Sequence, residues 1–264
     1  MCDNGKIESV RKYPSPNPNV RLDEITYWSC GLRIKGLLAR PTKNIENAQA
    51  LLYLRGGLQT IGMVRPARIA QFAQQGFIVF APYYRGNRGG EGRDEFAGAD
   101  RFDAVYGVDV LKQFIDCKKV HVYGFSRGGL MAIWTAILRD DIASVVTWAG
   151  VSDTAATYWE RVDMRRGLRR IIGGTPNKVP ERYEDRTPLY DVDEMDAPVL
   201  IIHGTSDQNV DIEHAYQLEF CLQDAGKRVE TWYSFGLKHH YPPKLNRETV
   251  RALCEWMKKE ATSF

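Results

Sequence analysis

The sequence predicts an α/β protein whose mostly parallel central sheet is covered by helices on both faces. Short apolar, β-branched runs alternate along the chain with longer stretches of helical periodicity, which is the pattern of parallel strands joined by crossover helices. A length of 264 residues fits one large domain and is sufficient to bury a proper core. A hydrophobic fraction of 44% with 26% charged residues is typical of a soluble globular protein.

Turn residues and apolar runs define the elements of the first half of the chain. Strands at 22–29 and 32–39 flank Cys30 and Gly31 and predict an opening hairpin. The elements that follow are a strand at 50–54, a helix at 66–75 that stops at Gly76, a buried strand at 77–81, a loop rich in glycine and arginine at 83–93, and a helix at 100–116 whose apolar residues recur at helical spacing.

The second half continues the alternation with one interruption. Its elements are strands at 119–123, 144–148, 199–203 and 229–233 and helices at 130–138, near 211–225 and at 246–260. The polar section 153–196 breaks the pattern, and we interpret it as a small cap or lid insertion. The chain is therefore predicted to form a single domain, 1–264, with an N-terminal extension at 1–21.

Charge, hydropathy and cysteine usage exclude several classes of protein. The net charge of +3 is too small to indicate a nucleic-acid partner. No apolar run approaches the ~20 residues that span a bilayer, and the first twenty residues lack the apolar core of a signal peptide. The five cysteines are scattered without C-x-x-C spacing, which favours reduced thiols in the cytoplasm and no metal site. The sequence leaves the oligomeric state open.

The most informative segment is Gly124-Phe125-Ser126-Arg127-Gly128. It lies between a predicted strand and a predicted helix, and a G-x-S-x-G in that position is the nucleophile elbow of an α/β-hydrolase fold. The tight turn strains the serine backbone, and the flanking glycines leave room where strand and helix cross. Ser126 is therefore the predicted nucleophile, and the backbone N–H of Arg127 is directed at a developing oxyanion.

A serine nucleophile needs a base and an orienting carboxylate, which follow in the chain order Ser, Asp, His in this fold. Asp207 comes just after the strand at 199–203, and ligand sites of open α/β sheets form at that edge. His239 and His240 follow the strand at 229–233. Taken alone, Asp207 could be a turn or cap residue and a loop histidine could be solvated. The agreement of all three placements predicts a catalytic triad.

The loop after the third predicted strand should supply a second oxyanion donor. In Arg55-Gly56-Gly57-Leu58, we interpret the N–H of Gly57 or Leu58 as that donor, because glycine lets the backbone approach a substrate closely. A simple tight turn is the alternative. Arg55 beside it could bind the carbonyl oxygen or a substrate carboxylate, or it could pair with a nearby acid and only order the loop.

Together these residues resemble the catalytic domain of the prolyl oligopeptidase family of serine hydrolases. The segment from Tyr83 to Gly90 is similar to the family's Y-R-G-S-x-G-Y-G loop, Arg186-Thr187-Pro188-Leu189 to its R-S-P-hydrophobic segment, and the run from Ala197 to Gly204 to its A-P-x-L strand. In this family, an aromatic residue and an E-N-R segment follow the catalytic histidine at fixed distances along the chain. Tyr241 and Asn246-Arg247 lie at these distances from His239 but not from His240, so the resemblance implies that His239 is the base. It covers residues 22–262.

The sequence departs from the family in three places. The family's peptidases usually carry an N-terminal propeller, whereas only about twenty residues precede the first predicted strand here. Free-standing relatives are often esterases, so we expect esters to be cleaved faster than peptides. Arg55 stands where the family often has His or Tyr, and Arg127 where its peptidases often have Tyr.

The resulting hypothesis is a serine hydrolase acting on a small ester or a short peptide amide, without a cofactor, a nucleic acid or a membrane as partner. A catalytically silent scaffold with a binding role is the alternative, and the intact triad speaks against it. Dehalogenase chemistry is disfavoured because the elbow carries Ser instead of Asp. The arginines between Glu160 and Arg170 could select an acidic substrate, although a solvated helix face explains them more simply. Fold alone does not fix the substrate.

Overall fold

The computed structural model describes residues 3–261 and contains one nine-stranded sheet. Its strands are β1 (Ile7–Tyr13), β2 (Val20–Ser29), β3 (Leu32–Pro41), β4 (Gln49–Leu54), β5 (Phe77–Pro82), β6 (Val120–Phe125), β7 (Ile142–Trp148), β8 (Val199–Gly204) and β9 (Val229–Ser234). Their order across the sheet is β1-β2-β3-β5-β4-β6-β7-β8-β9. The pairs β1/β2, β2/β3 and β3/β5 are antiparallel and all others are parallel. The predicted α/β-hydrolase fold is confirmed.

Helices cover both faces of this sheet. They are α1 (Pro66–Ala73), α2 (Arg101–Lys112), α3 (Gly128–Ile137), α4 (Thr154–Glu160), α5 (Arg165–Ile172), α6 (Pro180–Glu184), α7 (Glu213–Asp224) and α8 (Pro243–Ala261). Neighbouring residues of β4 face opposite sides, since Leu51 belongs to the core under α1 and α8 and Leu52 to the core under α2, α3 and α7. β5 and β8 are buried along their whole length, which explains their continuous apolar sequences.

The extension predicted at 1–21 contains a strand that the sequence pattern did not indicate. β1 pairs antiparallel with β2, with Val10 opposite Ile25. It is an edge strand with mostly exposed side chains, among them Glu8, Arg11 and Lys12. Charged edge strands lack the apolar alternation by which a strand is recognised. The first strand therefore begins fifteen residues before the predicted hairpin, at residue 7 instead of residue 22.

The section predicted as a cap joins two neighbouring parallel strands, β7 and β8. It contains α4, α5 and α6 together with 3₁₀ turns at Val162–Met164 and Pro188–Glu194. Asp153 begins α4 by accepting hydrogen bonds from the backbone N–H groups of Ala155 and Ala156. α5 reaches the loop after β4, because a Cβ atom built on Gly167 would lie 3.7 Å from Leu58 Cδ2.

Two composition-based expectations concern thiols and membranes. Cys30, Cys117, Cys221 and Cys254 carry free thiols, and Cys2 lies outside the described residues. No helix between residues 3 and 261 is both long enough and apolar enough to cross a membrane. The cytoplasmic location inferred from the cysteines stays a prediction.

Candidate active site

Ser126 lies at a sharp turn between β6 and α3. Its φ angle is 56°, in the left-handed region that is unfavourable for a residue with a side chain. The turn requires glycine on both sides. A Cβ atom on Gly124 would lie 2.1 Å from the carbonyl oxygen of Gly128, and one on Gly128 would lie 2.2 Å from that of Leu54. This backbone geometry matches the elbow expected from the sequence.

Asp207 and His239 lie together at the carboxyl ends of β8 and β9. His239 Nδ1 is 2.7 Å from Asp207 Oδ2, and both side chains are buried. The other oxygen, Oδ1, accepts hydrogen bonds from the backbone N–H groups of Asn209 and Val210. Burial raises the pKa of Asp207, but hydrogen bonds from His203 and His239 outweigh this effect and hold the pKa well below its ordinary value. Asp207 is thus a carboxylate at neutral pH.

The two adjacent histidines have different surroundings. His239 is 7% exposed and holds the contact with Asp207, whereas the side chain of His240 is exposed. Both rings lie beside Phe125, the residue before the predicted nucleophile, with ring centroids 4.9 Å away for His239 and 5.3 Å away for His240. The pair formed by Asp207 and His239 therefore lies beside the elbow, with the His239 ring next to Phe125.

The loop after β4 approaches the elbow closely. A Cβ atom on Gly56 would lie 2.7 Å from the Cβ of Ser126, so only a glycine fits there. The guanidinium of Arg127 is 3.0 Å from the carbonyl oxygen of Gly57 and donates a hydrogen bond to it. The residue that carries one predicted oxyanion donor thereby holds the loop that carries the other, at Gly57 or Leu58.

Two carboxylates that the sequence analysis did not single out hold Arg127. Its guanidinium is 2.7 Å from Asp94 and also forms an ion pair with Asp100, and all three side chains are buried. Asp94 additionally accepts a hydrogen bond from the backbone N–H of Gln59. Burial raises the pKa of Asp100 to about 6, although the positive charge of Arg127 opposes this rise. The sequence signal for them was weak: an arginine directly after the predicted nucleophile needs acidic partners if it is buried, but its position does not identify which carboxylates they are.

Arg55 lies in the interior, with 1% of its surface exposed. Its guanidinium donates to the carbonyl oxygens of Tyr83, Gly56 and Ile61 and lies 3.5 Å from Asp94. The Arg55 side chain, a candidate for substrate binding, thus makes its contacts with other groups of the protein. These contacts favour the second of the two interpretations, in which Arg55 orders the loop.

A cleft of about 1340 Å³ lies beside this loop. One wall is formed by Gln59, Thr60 and Met63, which continue the loop after β4. The rest of the lining comes from the segment 86–95, from α5, and from α6 and the residues just after it. It includes the basic residues Arg88, Arg93, Arg170, Arg182 and Arg186. The predicted cap section therefore forms a wall next to the candidate site. In the part of the chain from residue 3 to 261, no group of three or more His, Cys, Asp or Glu side chains is arranged to hold a metal ion.

Comparison with known proteins places this sequence in one family. Residues 63–263 match the family model described as the prolyl oligopeptidase family. A Bacillus subtilis protein described as the uncharacterized peptidase YtmA is 55% identical over 255 residues, which cover 96% of this chain and 99% of that protein. A second B. subtilis protein, the uncharacterized peptidase YuxL, is 27% identical, and the match covers 79% of this chain but 34% of that protein.

Solved structures share the fold at low sequence identity. The acylaminoacyl peptidase of Pyrococcus horikoshii superposes with a TM-score of 0.77 at 18% identity, over 96% of this chain and 42% of that one. An acetyl xylan esterase from Paenibacillus sp. R4 gives a TM-score of 0.74 at 16% identity, over 94% of this chain and 87% of that one. At these identities the likeness concerns the fold alone. The family model and the full-length B. subtilis relative go further, and on them the chain belongs to the prolyl oligopeptidase family of serine hydrolases.

Proposed function

We propose that this protein hydrolyses carboxylic esters or short peptide amides through an acyl-enzyme on Ser126, with His239 as the base and Asp207 as its orienting carboxylate. The observation that carries the proposal is the 2.7 Å contact between Asp207 and His239 Nδ1, next to a serine held at a φ angle of 56°. Because Asp207 accepts a hydrogen bond from Nδ1–H, the proton stays on Nδ1, and the lone pair of Nε2 is available to receive the proton of a serine hydroxyl.

The reaction then has two stages, formation of the acyl-enzyme and its hydrolysis. Ser126 Oγ attacks the substrate carbonyl while its proton passes to His239, and the oxyanion accepts hydrogen bonds from the N–H of Arg127 and from that of Gly57 or Leu58. His239 returns the proton to the leaving group, which departs as an alcohol or an amine and leaves the acyl-enzyme. Water then attacks the acyl-enzyme while His239 takes up one of its protons. His239 passes this proton to Ser126 Oγ as the carboxylic acid leaves.

The cluster of Arg127, Asp94 and Asp100 supports the oxyanion part of this proposal. It joins the elbow to the loop after β4 by buried ion pairs and by the 3.0 Å hydrogen bond from Arg127 to the carbonyl oxygen of Gly57. Donors that are fixed before the reaction need no reorganisation as the negative charge develops. Arg127 and its carboxylates thus act as positioning residues, since they act through the backbone donors.

Among substrates, we expect esters to be cleaved faster than amides with the same acyl group. An alcohol leaves a tetrahedral intermediate more readily than an amine, which must first be protonated by His239. The B. subtilis relative is described as a peptidase, so short aminoacyl anilides are the matched comparison. Purified protein should turn over p-nitrophenyl esters faster than aminoacyl p-nitroanilides, and equal or better turnover of the anilides would reverse this expectation.

Ser126→Ala tests the mechanism. The variant should lose more than nine tenths of the esterase rate and should no longer react with a fluorophosphonate probe, while its melting temperature stays that of the wild type. Ser206→Ala, which changes an exposed serine one residue before Asp207, is the matched control and should keep both activities. A wild-type protein that neither reacts with the probe nor cleaves esters would favour the silent scaffold with a binding role.

A further inference from the structure

The cleft beside the loop after β4 has an unusual charge balance. Its lining contains five arginines against two carboxylates, Asp94 and Glu95. The carboxylate of Asp94 is buried and already paired with Arg127 and Arg55. Glu95 uses one oxygen to accept a hydrogen bond from the backbone N–H of Ala99. The carboxylates of the lining therefore leave most of the arginine charge uncompensated.

The arginines of this cleft differ in how strongly the protein engages them. Arg182 and Arg186 donate to backbone carbonyl oxygens, and Arg186 also lies 3.6 Å from Asp185. Arg88 stacks on the ring of Tyr83. Within residues 3–261, neither Arg93 nor Arg170 has an acidic side chain within ion-pair distance, and both are exposed. They come from two different parts of the lining, the loop at 83–93 and α5.

The cleft adjoins the reacting centre through a continuous stretch of backbone. Gly56 lies against Ser126, and Gln59, Thr60 and Met63 of the same loop line the cleft. α5 contacts this loop at Leu58 through Gly167 and carries Arg170 one turn further on. The loop that packs against Ser126 thus also borders the cleft that contains Arg93 and Arg170.

We propose that this cleft binds an anionic group of the substrate, a carboxylate, so that the protein prefers esters or amides whose acyl group bears a free carboxylate. Guanidinium groups recognise carboxylates through two parallel hydrogen bonds, and two arginines without acidic partners are available for it. The proposal rests on the hydrolase function proposed above and specifies its substrate class.

The test compares two substrates of equal chain length, the p-nitrophenyl monoester of adipic acid and p-nitrophenyl hexanoate. At low ionic strength, kcat/KM should be about tenfold higher for the adipate monoester, since one charge-assisted contact of this kind is worth about that factor. The preference should fall as salt is raised, because exposed guanidinium groups are screened. In the double variant Arg93→Gln/Arg170→Gln the preference should disappear while the rate on the hexanoate stays unchanged.

Arg169→Gln is the matched control, because Arg169 is an exposed neighbour of Arg170 on α5 that does not line the cleft. It should keep the full preference. Hydrolysis of both esters at equal efficiency would overturn the cleft proposal and leave the hydrolase function intact. If neither ester is cleaved, calorimetric titration of monoethyl adipate into Ser126→Ala protein decides the matter. Binding that exceeds that of diethyl adipate and is lost in the Arg93/Arg170 variant supports the cleft, and equal binding of the two compounds refutes it.

Discussion

Adjacent histidines in one loop give the sharpest test at the residue scale. His239 is buried against Asp207, whereas His240 is exposed and stacks on Phe125. We expect His239→Ala to lose as much esterase rate as Ser126→Ala, since members of a triad act as a unit. His240→Ala should keep most of the rate. Steady-state rates on one p-nitrophenyl ester check both, and the reverse result would transfer the role of base to His240.

Arg55 distinguishes ordering of a loop from recognition of a substrate. Arg55→Met leaves three backbone carbonyl oxygens without their donor and Asp94 with one positive partner fewer, which should lower the free energy of unfolding by roughly 3–5 kcal/mol. The kcat/KM values for neutral and carboxylate-bearing esters should fall by the same factor. Urea denaturation and parallel kinetics measure these effects. A loss confined to the carboxylate-bearing ester, with normal stability, would restore Arg55 as a substrate-binding residue.

The sequence predicts the residues that belong to a local motif but not the distant residues that form contacts with them. Ser126 and its glycines follow from the geometry of one turn, so their pattern is readable in five consecutive residues. Asp94 and Asp100 lie some thirty residues before Arg127, and no local pattern marks them as its partners. The direction of the Arg55 side chain was likewise open, because it depends on carbonyl oxygens from two different loops, those after β4 and β5.

At the scale of elements, the same contrast separates buried strands from edge strands. β5 and β8 were recognised from their apolar sequences, while β1 was not, because its exposed side chains are largely polar. The predicted end of α2 was residue 116, because the helical spacing of apolar residues continues through Phe114. The helix itself ends at Lys112. α8 begins at Pro243 instead of residue 246, and proline is tolerated in a first helical turn.

The middle of the sheet carries a pH-sensitive histidine outside the candidate site. His121 on β6 lies between Ser144 on β7 and Gln49 on β4, and burial lowers its pKa to about 4. As pH falls, the unfolded chain takes up this proton near pH 6.5 but the folded protein only near pH 4. The free energy of unfolding should therefore decrease between these values, by up to about 3 kcal/mol, and level off below.

His121→Gln removes this titration, so its stability should depend less on pH across that window. Urea denaturation at pH 7 and pH 4.5 measures the difference for both proteins. The esterase rate at pH 7 serves as the control and should be unchanged, because His121 belongs to β6 five residues before Ser126 and contacts neither the elbow nor Asp207. An identical pH dependence in the two proteins would contradict the prediction.

At the scale of the whole molecule, the candidate residues come from loops that leave the same edge of the parallel sheet. The loops after β4, β6, β8 and β9 carry Gly56, Ser126, Asp207 and His239 in that order. This convergence was predictable, because parallel strands deliver their carboxyl ends to one edge. The arginine-lined cleft was not, since it combines the loop at 83–93 with α5 and α6, whose relative placement only tertiary packing determines.

The buried trio of Arg127, Asp94 and Asp100 also constrains how this protein can change through evolution. Removing one member of a buried ion network leaves a charge on the others without a partner. This lowers the free energy of unfolding by about 3–5 kcal/mol, a large part of the stability of a typical domain. Replacing all three together with well-packed apolar side chains can be nearly neutral. Relatives should therefore keep the trio intact or lose it as a whole, and lineages that carry two of its members without the third should be rare.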